Sequence, residues 1–164
     1  MNDAPLHPAA LPTDLLAAQC SQRTTRRSGP GGQHRNKVET AVILTHEPTG
    51  IRAEANERRS QRENRDVALH RLRLRLALEI RREPRQPSPL WRSRLQGTRL
   101  VVSPKHDDFP VLLAELLDHL AASDEELGAT AAHFGTTSSQ LVKLLQSEPK
   151  AIETVNRRRE SEGK

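Results

Sequence analysis

The stretch Ser28-Gly29-Pro30-Gly31-Gly32-Gln33-His34-Arg35-Asn36-Lys37 gathers the residue types best able to do chemistry at a polyanionic site. Gly31 and Gly32 let the main chain adopt dihedrals closed to residues with a Cβ and approach a ligand closely. Pro30 restricts the entry to that turn. Gln33 then stands at the tip of a loop made almost wholly of main chain, with Arg23, Arg26, Arg27, Arg35 and Lys37 around it. Its backbone N–H can donate to charge developing on the tetrahedral intermediate or leaving oxygen of an ester. Its side-chain amide can bound a pocket for an attacking water. The chain shows no Ser-His-Asp set, carboxylate pair or metal-ligand cluster, so any hydrolysis by this loop would have to come mainly from positioning and electrostatics, and no cofactor or metal is expected. At a polyanionic site His34 reads better as a residue that stacks or hydrogen-bonds than as a general base.

The elements that must hold this loop are legible on either side of it. Cys20 to Arg27 reads as a strand, with Thr24 and Thr25 suited to a pleated surface. Asn36 to Thr40 reads as a short helical turn. Ala41-Val42-Ile43-Leu44-Thr45 is a buried strand, Glu47-Pro48-Thr49-Gly50 is turn chemistry, and Ile51 to Ala55 closes a hairpin. From Glu57 to Arg82 two periodicities compete. Leu72, Leu74, Leu76, Leu78 and Ile80 alternate like a strand, yet Ala68, Leu72, Leu76 and Ile80 share one helical stripe. Leu, Arg, Ala and Glu are strong helix formers, and Ser60 with Glu63 has capping-box spacing, so a helix is expected, with Leu74 and Leu78 left for a second contact. The expected fold class is α+β: a β-α-β-β-α unit over residues 14–84 with the long helix packed on a three-stranded sheet.

Outside that unit, Met1 to Thr13 is Pro/Ala-rich and expected to be disordered. Residues 85–104 read as a proline-rich linker, with Trp91 pinning it to a surface and Thr98 to Val102 as an edge strand. Residues 105–164 read as an all-α module. Phe109 to Ala122 forms one helix, Ser123 with Glu126 caps a second, Ala131, Gly135 and Leu141 have helix-turn-helix spacing, and Pro149 opens a last helix.

Charge divides the same way. Gln22 to Gln86 carries sixteen Arg/Lys against eight Asp/Glu, whereas Pro104 to Lys164 carries seven against eleven. The basic half is therefore the expected contact for RNA. With two Phe, one Trp and no Tyr, the core must be aliphatic. Cys20 is the single cysteine, which excludes an intrachain disulfide and fits a small apolar role on its strand. No apolar run is long enough to span a membrane. No secretory signal pattern opens the chain. A cytoplasmic monomer is expected, with an organellar matrix the alternative compartment.

Residues from about Gln22 to Ile80 resemble the catalytic domain of class I peptide chain release factors. The resemblance is carried by Ser28 to His34, by Asn36-Lys37, by Thr45-His46-Glu47-Pro48-Thr49-Gly50-Ile51, and by Glu57-Arg58-Arg59-Ser60-Gln61 with Asn64. It implies that Gly31, Gly32 and Gln33 enter the ribosomal peptidyl-transferase centre. There they would help hydrolyse the ester between a nascent peptide and P-site tRNA, assisted by the tRNA's own 2′-hydroxyl and by ribosomal RNA. It implies rRNA or tRNA contacts for Arg26, Arg27, His34, Arg35, Asn36, Lys37, Arg58, Arg59 and Arg62. Arg35 departs from the family, which has a small apolar residue there. About two dozen residues precede the loop, too few for a codon-reading domain, so the expectation is the codon-independent, ribosome-rescue type. The basic cluster Arg157-Arg158-Arg159 is diluted by Glu160 and Glu162 and reads poorly as a tail for the mRNA channel. The competing readings are a non-catalytic RNA-binding module and a DNA-binding regulator. The regulator is disfavoured, because Thr136 to Gln146 carries Lys143 as its one basic residue.

Overall fold

The computed structural model describes residues 4–26 and 40–163. They fall into two compact units, one within Leu11–Leu76 and the other combining the segment up to Ala10 with everything from Ala77 on. The architecture is α+β.

In the first unit α1 (Thr13–Ala18) leads into β1 (Cys20–Thr25), β2 (Ala41–His46), β3 (Arg52–Ala55) and α2 (Gln61–Glu79). The strands form one antiparallel sheet in the order β1-β2-β3. The β-branched run predicted as a buried strand is β2, with Ala41, Val42, Leu44 and His46 buried. β3 alternates, burying Ala53 and Ala55 and exposing Arg52 and Glu54. The ambiguous leucine-arginine segment is helical: Ala68, Leu72 and Leu76, four residues apart, are fully buried, as the helical stripe requires. Leu74 and Leu78 are half-buried. Arginines on α2 tie it to the sheet, Arg71 donating to the carbonyl of Glu54 at 3.0 Å and Arg75 to that of Arg52. Arg73 is itself buried. It donates to the carbonyl of Leu11 at 2.7 Å and to Thr13 Oγ1 at 3.1 Å, holding the start of α1. The helical turn predicted over Asn36 to Thr40 falls outside the described residues, apart from Thr40.

The second unit holds α3 (Pro89–Ser93), the hairpin β4 (Leu95–Gln96) and β5 (Arg99–Leu100), and then α4 (Asp108–Ala122), α5 (Leu127–Phe134), α6 (Ser138–Gln146) and α7 (Pro149–Ser161). Leu112, Leu113, Leu116, Leu117 and Leu120 of α4 are buried with Phe134, Leu141, Leu145, Ala151 and Val155. Gly135 (φ 67°) closes α5, and the N–H of Thr136 donates to the carbonyl of Ala131 at 3.0 Å. Buried Ala131 and Leu141 flank that turn, so the predicted helix-turn-helix spacing corresponds to real helices.

Three expectations are corrected. Within Met1 to Thr13, expected to be disordered, residues 4–13 are ordered: Pro8–Ala10 form a 3-10 turn, and His7, Pro8 and Ala9 are buried. His7 provides the reason, since its Nε2 donates to the carbonyl of Ile80 at 2.9 Å while its Nδ1 accepts from the N–H of Ala9 at 3.0 Å. The stretch 85–104, read as a linker, contains α3 and the hairpin. Trp91 is fully buried against Phe134 with a centroid separation of 4.3 Å, and donates through Nε1 to the Phe134 carbonyl at 3.0 Å. Ser123 does not cap the helix after it. Its hydroxyl donates back to the carbonyl of His119 at 2.9 Å, and Glu126 is the N-cap, its carboxylate accepting from the N–H groups of Gly128 and Ala129. The intervening Asp124 and Glu125 take φ values of 54° and 61°, a left-handed reversal costing non-glycine residues on the order of 1 kcal/mol each. Arg158 and Arg159 hold that reversal. Arg158 Nε pairs with the buried Glu125 carboxylate at 2.9 Å, and Arg159 donates to the Glu125 carbonyl at 2.7 Å.

Burial makes this unit sensitive to pH in two opposed ways. Burial lowers the His7 pKa to about 4, so between 6.5 and 4 the unfolded chain takes up a proton that the folded chain refuses. His7 therefore withdraws stability as pH falls through that window. Burial raises Asp118 to about 6 against its hydrogen bonds from the Arg82 N–H and Arg81, so Asp118 withdraws stability as pH rises from 3.8 to 6. Unfolding titrations between pH 4 and 7 check both. The advantage of wild type over His7→Gln should grow with pH, and its advantage over Asp118→Asn should shrink.

Candidate functional site

The loop leaves and rejoins the sheet at one place. β1 ends at Thr25, paired with Ala41 at the start of β2, and Ala55 at the end of β3 pairs with Val42 beside it. Both ends of the loop and the turn 56–60 that leads to α2 therefore sit at the same edge of the sheet. Gln33 and the other residues from Arg27 to Lys37 named above (Gly31, Gly32, His34, Arg35, Asn36) lie outside the described residues. What the structure describes is their base.

That base is organised by Asn64, which is completely buried. Its Nδ2 donates to the carbonyl of Thr40 at 2.7 Å and to that of Arg58 at 3.1 Å, and its Oδ1 accepts from the Arg58 N–H at 2.9 Å. One amide thus joins the returning end of the loop to the turn bearing Arg58 and Arg59. α2 begins beside it through the predicted capping box. The N–H of Glu63 donates to Ser60 Oγ at 3.0 Å, and Ser60 Oγ donates to the Glu63 carboxylate at 3.1 Å.

Arg58, Arg59 and Arg62 are exposed on this turn and the first turn of α2, and Arg26 is exposed where β1 gives way to the loop. The structure brings these four predicted RNA-contact residues to the edge from which the loop departs. Cations at a helix amino terminus oppose its dipole, typically by 0.3–1 kcal/mol each. A turn that keeps three of them exposed there is disposed towards an external anion rather than towards helix stability. Glu57 does not neutralise them. It is paired with Arg71, whose hydrogen bond pulls the Glu57 carboxyl down to about 2.

The other stretch carrying the family resemblance, Thr45 to Ile51, lies at the far end of the sheet. Cys20 pairs with His46 there, five ladder positions from the Thr25–Ala41 pair, about 17 Å away. His46 is buried and braces its own hairpin, with Nδ1 2.8 Å from Thr49 Oγ1 and Nε2 2.7 Å from Gln19 Oε1. Gly50 at φ 73° completes that turn, its N–H donating to the His46 carbonyl at 2.7 Å. Sequence reasoning quoted Asn64 without a role. The signal available was an amide four residues after a helix cap, at a position where a helix of this composition would place a buried side chain.

The chain matches the RF-1 domain family over residues 12–101, more than half its length, and belongs to that family. It is 60% identical over 53 residues to the peptide chain release factor 2 of Acidovorax sp. (strain JS42), a match covering 32% of this chain and 14% of that protein. It is 45% identical over 74 residues to the peptide chain release factor 1 of Xylella fastidiosa (strain 9a5c), covering 45% and 18%. It is 46% identical over 78 residues to the peptide chain release factor 2 of Thermomicrobium roseum, covering 48% and 20%. The chain thus spans about a fifth or less of the length of these relatives. The family match runs past α2 through α3 and the hairpin, further than the resemblance read from the loop and its neighbours. No helix among the described residues is long and apolar enough to cross a membrane.

The Asn64 amide makes a stability prediction. Asn64→Leu keeps the branched shape but leaves the Thr40 carbonyl and both Arg58 backbone groups without this partner. It should cost about 2–3 kcal/mol in urea unfolding. Peptide-release or RNA-binding assays at temperatures where the variant remains folded should show a further loss, because the loop base is loosened.

Proposed function

We propose that this chain hydrolyses the ester joining a nascent peptide to P-site tRNA on the ribosome, and does so without reading a codon. Residues 14–84 carry the chemistry in this reading, and residues 105–164 select the complex on which it is used. The observation that carries the proposal is the loop base. The strands on either side of the Gly-Gly-Gln segment pair antiparallel, Asn64 ties Thr40 to the turn at Arg58, and Arg26, Arg58, Arg59 and Arg62 are exposed at that edge. Membership of the RF-1 domain family and likeness to peptide chain release factors support it.

Gly31 and Gly32 let the apex enter a crowded site, and the Gln33 N–H stabilises negative charge on the departing ribose oxygen or the tetrahedral intermediate. The Gln33 side chain excludes all but one water from the carbonyl carbon. Arg27, Arg35 and Lys37, with the rim arginines, hold the loop against ribosomal phosphates, while His34 and Asn36 brace it or contact RNA. The 2′-hydroxyl of the tRNA and the ribosomal RNA handle the proton, so the chain supplies no general base.

Main-chain and side-chain roles separate in single-turnover release. Gln33→Pro deletes the N–H and should slow release about 10²–10³-fold. Gln33→Ala keeps that N–H and should lose less. Undiminished release by both variants removes this loop as the catalyst. Equal release with an empty A site and with a stop codon supports the codon-independent form; dependence on a stop codon overturns it. Ribosome binding with no release by wild type leaves the non-catalytic reading standing. Arg58→Ala with Arg59→Ala should weaken ribosome binding and lower the slope of log affinity against log salt by about 1.4, the value for two single-strand phosphate contacts.

A further inference from the structure

The helical unit carries a basic stretch of its own. From residue 84 to residue 106 there are five Arg/Lys and no Asp or Glu. Two of the five are committed within the fold, Arg85 donating to the carbonyl of Ala4 and Arg94 pairing with Asp108 at 2.5 Å. Arg92, Arg99 and Lys105 are exposed.

The hairpin brings one of these to α6. The N–H of Leu100 donates to Gln140 Oε1 at 3.1 Å, and Thr136 Oγ1 donates to the carbonyl of Thr98, so β5 is fastened to the helix-turn-helix on both sides of Arg99. Gln140, Lys143 and Ser147 follow one another at helical spacing along the same face. Arg99, Gln140, Lys143 and Ser147 together line a cleft of about 110 Å³ with Leu100, Val101, Val102 and Leu144. No carboxylate lines it. The nearest acid in the chain, Glu148, is turned onto the start of α7, where it accepts from the Lys150 N–H at 3.4 Å. Gln140 has spent its oxygen on Leu100, which leaves its NH₂ group as a donor. No hydrogen bond or ion pair among the described residues holds the Arg99 guanidinium or the Lys143 ammonium.

We propose that this cleft is an anion site that takes a backbone phosphate of RNA, a second RNA contact separate from the Gly-Gly-Gln loop. A guanidinium, an ammonium and a primary amide converging without a counter-ion match the oxygens of a phosphodiester. A phosphate contact of this kind positions the chain without reading sequence. Arg92 and Lys105, before and after the hairpin in the chain, add to the exposed charge of this stretch. Duplex DNA fits less well, because α6 offers Lys143 as its one cation and a recognition helix needs several phosphate anchors. The hairpin completes what α6 lacks.

The test uses the full chain, purified large ribosomal subunits and, separately, duplex DNA and inorganic phosphate. Arg99→Gln with Lys143→Gln should weaken subunit binding several-fold and lower the salt slope by about 1.4. Arg99→Lys with Lys143→Arg should restore both. In wild type, bound subunits should slow acylation of Lys143, and they should do so equally in the Gln33→Pro variant. The site is thereby scored even if release is abolished or the proposed catalysis fails. Unchanged affinity and slope in the Gln pair, or unprotected Lys143, overturns the proposal. So does tighter binding of duplex DNA through the same two residues, or saturation of the cleft by millimolar phosphate with no effect on subunit binding.

Discussion

The site depends on one buried amide. An extended loop is useful as a catalyst only if its two ends are fixed, and β-pairing alone fixes them in the plane of the sheet. Asn64 adds the third direction. From α2 it reaches the carbonyl that follows the loop and both backbone groups of Arg58, with no exposure to water that could substitute for those partners. A buried amide left half-satisfied is costly, so the arrangement is close to all-or-none. Rigidity at the loop base, exposure of the arginine turn and the start of α2 are therefore one structural event.

Arginine has two uses in this chain that composition cannot separate. Arg71, Arg73 and Arg75 satisfy backbone carbonyls, and Arg73 does so while buried. Arg81 pairs with Asp118, Arg94 with Asp108, and Arg158 and Arg159 hold the left-handed turn at Glu125. These residues inflate the basic count without contributing to an external field at full strength, because each has a partner or a carbonyl dipole. Arg26, Arg58, Arg59 and Arg62 remain on the sheet edge, and Arg99 and Lys143 on the hairpin face. The contrast between a basic and an acidic half is thus coarser than the molecule. A basic cleft draws Arg99 from the hairpin and Lys143 from the acidic stretch, and part of the basic half is structural.

What the sequence made legible was local or periodic. The β-branched run became β2, the four-residue stripe of Ala68, Leu72 and Leu76 outweighed the alternating leucines, and Ser60 with Glu63 did cap α2. The α+β class and the family followed from such signals. Failures came where a distant partner overrides a local pattern. Ser123 and Glu126 have capping-box spacing, yet two left-handed residues between them hand the cap to Glu126, and the arginines that hold that reversal lie more than thirty residues on. His7 and Trp91 looked like features of a frayed end and a linker. Each finds its partner tens of residues away, at Ile80 and Phe134. At the site, the arginine turn was legible as a motif, but the reason it is tied to Thr40 was not, since that depends on Asn64 meeting Thr40 across 24 residues.

The proposed catalysis rests on geometry rather than on acid-base chemistry. A hydrolase that carries its own nucleophile or base needs a perturbed titratable group within hydrogen-bond reach of the substrate. The strongly perturbed groups here are His7 and Asp118, both in the helical unit, and Glu57, whose shift comes from an ion pair with Arg71. Each shift has a structural cause: burial among partners of their own unit tunes His7 and Asp118, and the pairing with Arg71 pulls Glu57 away from the range useful to a base. The residues at the loop base are cations and amides, which place charge and donors without exchanging protons near neutral pH. That division suits the proposed role, in which RNA supplies the proton chemistry. It also accounts for a basic rim standing where helix stability alone would favour acidic residues.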